Sequence, residues 1–218
     1  MFPPLYAVLD EDLLNMPAGK CAHELVSVGV ELIQYRAKRS SSRNYFEVCS
    51  TVAEVLASRN IRFMVNDRPD IAMMVGAGGV HVGQDDLSPD AARRICGSGR
   101  WVGVSTHTLR QVRVAEKTSA DYIAVGPIFS TSTKEKPDAI VGTSLIREAR
   151  KLTSKPIVAI GGITRDRAAE VYEAGADSIA VIRDLLKADD PAARAKEFLA
   201  IAAGSEKLSQ GNSRTEAR

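Results

Sequence analysis

The chain has 218 residues, a formal net charge of +2, 44% apolar residues, 26% charged residues and only 5% aromatics. That length suits a single α/β domain with a sizeable core. The near-neutral charge offers no field for nucleic acid or an anionic membrane, and the shortage of aromatics argues against a base-stacking surface. Cys21, Cys49 and Cys96 are far apart and form no CxxC pair, so they read as buried free thiols in a reducing compartment. The start "MFPPLYAVLD" lacks a basic n-region, and no apolar run approaches a bilayer span. A cytoplasmic location is expected.

In chain order, the first apolar run is "LYAVLD" and the second "VELIQYR". A helical segment, "RNYFEVCSTVAEVLASRN", follows and places Phe46, Val48, Val52, Val55 and Leu56 on one side. Next come "IRFMVND" and "GGVHVGQ". A helix then opens with Ser88 as N-cap and Pro89 at its first position, and stops at glycine. "WVGVST" leads to a helix capped by Thr108, and "DYIAVGPIF" to the helix "SLIREARKLTS". "KPIVAIGG" precedes a helix with Thr164 as its expected cap, and "DSIAVIRDLL" is the eighth run. The runs are nearly continuous in hydrophobicity, as parallel strands covered on both faces must be. Strand and helix in eightfold alternation predict a single (β/α)8 TIM barrel over residues 1–203. The tail 204–218 is polar and aperiodic and reads as disordered.

In such a barrel, chemistry sits at the C-terminal ends of the strands. Gln34, Arg36 and Lys38 alternate with Tyr35 and Ala37, so the three polar side chains share one face. Asn66 and Asp67 end the third strand, and Asp85 and Asp86 follow the fourth. By period two, Asp85 points away from Asp86 and is the weaker metal candidate. Ser105, Thr106 and His107 end the fifth strand. After the sixth, "GPIFSTSTKEKP" places four hydroxyls before Lys134, which is either a solvated loop or an anion-binding one. Gly161–Gly162 end the seventh strand, and Ile182, Arg183 and Asp184 the eighth. Converging cations and carboxylates suggest Mg2+ with a bound phosphate at strands 2 to 4. A metal-free phosphate fits the loops after strands 7 and 8. His81 reads as a hydrogen-bonded structural histidine, and His107 as orienting the loop after strand 5.

Together, "IQYRAK", "VNDRPDIA", "GGVHVGQDD", "GVSTHT", "GPIFSTSTK", "VAIGGIT" and "AGADSIAVI" resemble, in that order, the thiamine phosphate synthase family, over residues 5–186. The resemblance implies a (β/α)8 barrel that is a Mg2+-dependent transferase. It would join a pyrimidine methyl diphosphate to a thiazole phosphate and release pyrophosphate. It further implies that Arg36 and Lys38 hold the diphosphate, with Gln34 in the same run and Lys134 also on the diphosphate. Asn66 and Ser105 would contact the pyrimidine, and Asp67 and Asp86 would ligate Mg2+. Thr131, Thr133, Gly162 and the backbone of Ile182 and Arg183 would hold the thiazole phosphate. Arg36, Lys38, Lys134 and Ser105 would be the residues closest to the chemistry, and the loop from Phe129 to Gly142 a lid over it.

Two positions depart from the family pattern. Ala37 stands where a carboxylate is frequent, and Arg183 where a serine is common. The alternatives are a thiazole tautomerase of the sister family, whose strand 6 histidine has no counterpart beside Pro127, and a non-catalytic barrel that binds phosphate ligands. Small-molecule substrates, rather than nucleic acid or membrane, are the expected partners. Neither the oligomeric state nor the choice between a plain and a carboxylated thiazole phosphate is written in the sequence.

Overall fold

A computed structural model describes the backbone of residues 2–57, 59, 61–131 and 139–215, with side chains through residue 205. Among these residues, parallel strands close into a barrel in sequence order. They are β1 (Leu5–Asp10), β2 (Leu32–Arg36), β3 (Arg62–Asn66), β4 (Gly79–Val82), β5 (Trp101–Thr106), β6 (Tyr122–Val125), β7 (Ile157–Ile160) and β8 (Ser178–Val181). Closure comes from β1 pairing with both β2 and β8, with Ala7 opposite Ile33 on one side and Val181 on the other.

Helices α1 (Ala18–Ser27), α2 (Ser42–Leu56), α3 (Pro69–Met74), α4 (Pro89–Cys96), α5 (Leu109–Glu116), α6 (Gly142–Arg150), α7 (Ala168–Glu173) and α8 (Arg183–Leu186) separate or follow the strands. α9 (Pro191–Thr215) closes the chain. Its backbone runs past Gly204, where the sequence suggested that order ends, although the last described side chain buried in the core is Ala202. α1 lacks a legible start: Pro17 precedes it and supplies no capping side chain. Ser88 and Thr108 do cap, accepting from Ala91 N and Gln111 N at 3.2 Å. Thr164 does not. It lies extended before a 3-10 turn, Arg165–Arg167, and makes no side-chain cap bond. No helix among the described residues is long and apolar enough to cross a membrane.

The core has two layers. The larger lies between barrel and helices and includes Leu5, Ala7, Leu9, Ile33, Val65 and the thiols Cys21, Cys49 and Cys96, which are free and buried. The smaller fills the barrel itself with Tyr6, Val8, Leu32, Met64, Tyr122, Ala124, Val158 and Ala180. Alternation along each strand sorts residues between the two layers. The N-terminal ends are tied by one device used twice. Asp121 accepts from Val102 N at 2.6 Å and pairs with Arg93, while Asp177 accepts from Ile157 N at 2.7 Å and pairs with Arg150.

Space inside the barrel is set by glycine. A Cβ on Gly103 would lie 2.0 Å from Tyr122 Cζ. Such a contact cannot be relieved by a flexible side-chain end, because the ring is locked between strands. Overpacking of this kind destabilises by about 1–3 kcal/mol. Gly103→Ala is therefore expected to lower the denaturant midpoint with an unchanged slope, measured by urea unfolding followed by circular dichroism.

Candidate active site

The inward series of β1 runs Tyr6, Val8, Asp10, and that of β2 runs Leu32, Gln34, Arg36. In the β1–β2 register Asp10 stands opposite Arg36, and their side chains form an ion pair. Asp10 is 3% exposed and Arg36 15%, so the pair is held at the edge of the dry interior. Sequence reading missed Asp10. The period-two pattern of "LYAVLD" carried the signal, since it places Asp10 on the same face as Tyr6 and Val8.

Lys38, just past β2, pairs with Asp67. Asp67 has φ of 60°, in the left-handed region that side-chain-bearing residues rarely adopt. A backbone of that kind costs on the order of 1–3 kcal/mol and persists only where its surroundings over-determine it. Tyr45 of α2 provides much of that restraint. Its hydroxyl accepts from Asn66 N at 3.1 Å and lies 2.9 Å from Asn66 O and 3.1 Å from Tyr35 O, to which it donates. Asp67 N in turn donates to His81 O at 2.8 Å. The strain aims the Asp67 carboxylate at the mouth.

Burial raises the Asp67 carboxyl above its ordinary range; the Lys38 ammonium opposes the shift, and the neighbouring Asp86 carboxyl adds to it. Asp86 itself accepts from Gly83 N at 2.8 Å. Two carboxylates facing each other make an unfavourable pair that a divalent cation relieves, which fits the donor chemistry of a hard metal ion. No group of three or more His, Cys, Asp or Glu able to hold a metal occurs among the described residues. Asp85, expected to point away, lines the same cavity as Asp86.

Gln34, Asn66 and His81 are buried below these charges. Gln34 Nε2 donates to Tyr6 Oη at 2.6 Å, and the Tyr6 and Tyr122 hydroxyls are 3.0 Å apart. Tyr122 Oη is 2.9 Å from His81 Nδ1, and His81 Nε2 is 2.8 Å from Ser105 Oγ. Burial raises the pKa of both phenols, so they stay protonated. The Ser105 carbonyl accepts from Gln84 Nε2 at 2.6 Å. His107 bridges the ends of β5 and β6 through Nδ1 to Gly126 O at 2.5 Å.

Across the mouth, Gly161 and Gly162 have φ of 101° and 63°. A Cβ on Gly162 would lie 2.3 Å from Ser130 O, so glycine is required for the two loops to meet. The base of the loop after β6 is laced to its neighbours. Ile128 N donates to Ile160 O and Phe129 N to Gly161 O, both at 2.9 Å, and Val141 N returns to Pro127 O at 2.9 Å. Thr131 lines the cavity; Thr133 and Lys134 lie outside the described residues. Ile182 and Arg183 also line it, at the start of α8.

All the described site residues thus face one cavity of about 1440 Å³. A small ligand's pocket is typically about 300–1,000 Å³, so this volume admits two small molecules side by side.

A family model described as thiamine monophosphate synthase matches residues 5–185. A thiamine-phosphate synthase of Koribacter versatilis is 48% identical over 204 residues, covering 91% of this chain and 95% of that protein. One from Shouchella clausii is 42% identical, covering 90% and 94%. The solved thiamine phosphate pyrophosphorylase of Pyrococcus furiosus superposes with a TM-score of 0.84 at 31% identity, covering 93% of this chain and 96% of that one. On this evidence the chain belongs to the thiamine monophosphate synthase family.

Proposed function

We propose that this chain is a transferase that joins a pyrimidine methyl diphosphate to a thiazole phosphate, giving thiamine phosphate and pyrophosphate. The observation that carries the reading is the juxtaposition in one cavity of Arg36, Lys38 and the Asp67–Asp86 pair with the Gly161–Gly162 turn opposite. Cations beside a carboxylate pair suit a diphosphate, and a close-approach glycine turn suits a separate monophosphate.

In the proposed reaction the bond from the methylene carbon to the diphosphate oxygen breaks, and its electron pair leaves with the diphosphate. The pyrimidine ring stabilises the resulting cation. The thiazole nitrogen then donates its lone pair to that carbon. No proton has to move in this sequence, so the protein's tasks are charge stabilisation, alignment and exclusion of water. Arg36 and Lys38 receive the growing charge of the leaving group. Both are already positioned by carboxylates, Asp10 and Asp67, which limits the reorganisation needed as the diphosphate departs. Lys134 adds a third cation from the loop after β6. Asp67 and Asp86 would hold Mg2+, which neutralises diphosphate oxygens when bound. Asn66 and Ser105 would position the pyrimidine, and Gln34 lies behind them. Thr131, Thr133, Gly162 and the Ile182–Arg183 backbone would hold the thiazole phosphate.

Mass spectrometry of the purified protein incubated with both substrates and Mg2+ is expected to show thiamine phosphate; its absence would overturn the reading. Asp67→Asn keeps a residue that tolerates the left-handed backbone while removing the charge. Together with Asp86→Asn it is expected to lose most of the activity and to need far more Mg2+, with the thermal midpoint retained. Unchanged turnover in both variants rules out the metal assignment. Lys134→Ala is expected to slow the single-turnover chemical step by about 10²–10³, the usual cost of removing one preorganised electrostatic contact. A parent-like single-turnover rate would mark it as a solvated loop residue. Arg183→Ser is expected to change the thiazole phosphate KM by less than about tenfold, because backbone groups rather than the guanidinium carry that phosphate. A much larger rise with kcat retained would show the side chain holding it.

A further inference from the structure

The barrel interior contains a polar chain that the charge-stabilising groups do not use. It runs from Gln34 through Tyr6, Tyr122 and His81 to Ser105, crossing the barrel beneath the mouth from β2 to β5. Every link is 2.6–3.0 Å long. Buried hydroxyls have one proton each to give, so the direction of such a chain is decided at its end. The Gln34 amide donates to Tyr6 Oη. Tyr6 then has its own proton left for Tyr122, and Tyr122 has its proton left for His81 Nδ1. An imidazole that accepts at Nδ1 is neutral and protonated at Nε2. That N–H is 2.8 Å from Ser105 Oγ.

The reverse direction would make Tyr6 accept from both Tyr122 and Gln34. Its own buried proton would then find no acceptor among the described residues, a costly arrangement. Packing holds the imidazole in place. The His81 ring stacks on Tyr122 at 5.6 Å between centroids, and Tyr122 fills the space left by Gly103.

We infer that His81 is a positioning residue: by donating from Nε2 to Ser105 Oγ, it commits the Ser105 hydroxyl to act as a donor into the cavity, toward an acceptor such as a ring nitrogen of the pyrimidine. This rests on the reading that a pyrimidine occupies the cavity and adds how the site selects its face. A serine hydroxyl ordinarily gives or accepts as its neighbour requires. Here His81 occupies one Oγ lone pair, so the Ser105 proton is left for an acceptor in the cavity and a ligand that presents one there is favoured.

The tautomer is read in the substrate-free protein by NMR with 15N-labelled histidine. The expected result is an unprotonated Nδ1 and a proton on Nε2 of His81; a proton on Nδ1 overturns the inference. The consequence is read kinetically. The amide of His81→Gln reaches toward the Nε2 position and keeps a donor, whereas that of His81→Asn ends near the Nδ1 position and does not. His81→Asn is expected to raise the KM for the pyrimidine diphosphate about three- to tenfold with kcat less affected, and His81→Gln to recover most of it. In a Ser105→Ala background the Asn substitution is expected to add nothing. An equal added cost in that background marks a packing role alone and overturns the inference. The NMR measurement needs no substrate and no variant, and parent turnover tests the pyrimidine reading separately, so the two failures are distinguishable.

Discussion

Each strand of a closed barrel can point only every second side chain inward, and the rest of this molecule follows from that limit. On β1 the inward series starts with Tyr6, packs Val8 and ends in Asp10; on β2 it passes from Leu32 through Gln34 to Arg36. Going up the barrel, the same face changes from aromatic and aliphatic to polar uncharged and then to charged. The gradient is physical. Charges are tolerated only where water or a paired charge can reach them, and the mouth is where the packed interior gives way to solvent.

The charges at the mouth are organised before any anion arrives. Arg36 leans on Asp10 and Lys38 on Asp67. An anionic ligand therefore meets cations whose positions are already restrained but whose charge is partly answered. Asp67 sits between two demands, a cation on one side and a second carboxylate on the other, on a backbone held left-handed by Tyr45 and by the strand beside it. Such a group gains from a divalent ion, while its own burial and the Asp86 carboxyl work against its charge in the ion's absence.

Beneath the charges, the interior polar chain and the apolar filling depend on each other. Gly103 leaves room for the Tyr122 ring, the ring supports the imidazole of His81, and the imidazole reaches Ser105. Because these residues point inward from three neighbouring strands, Gly103 and Ser105 from β5, His81 from β4 and Tyr122 from β6, packing in the barrel becomes hydrogen-bond geometry at the cavity wall. A core that only filled volume would not transmit position in this way.

The sequence by itself determined the barrel, because eight apolar runs separated by helical segments leave few other ways to bury strands on both faces. It also marked the strand-end residues of the cavity, since period two places Gln34, Arg36 and Lys38 together without any knowledge of the fold. Local capping was legible at Ser88 and Thr108, where the motif is complete within four residues, but not at Thr164, where the chain tightens into a 3-10 turn instead. α1 was not legible either, having neither a side-chain cap nor an acidic residue in its first turn. The pairing of Asp10 with Arg36, the backbone of Asp67, the reach of Tyr45 to β3 and the chain from Gln34 to Ser105 were decided by tertiary structure alone. Each depends on the register between strands or on a helix lying across two strand ends. Those relations are set by packing between residues 10–116 positions apart, which no local pattern encodes.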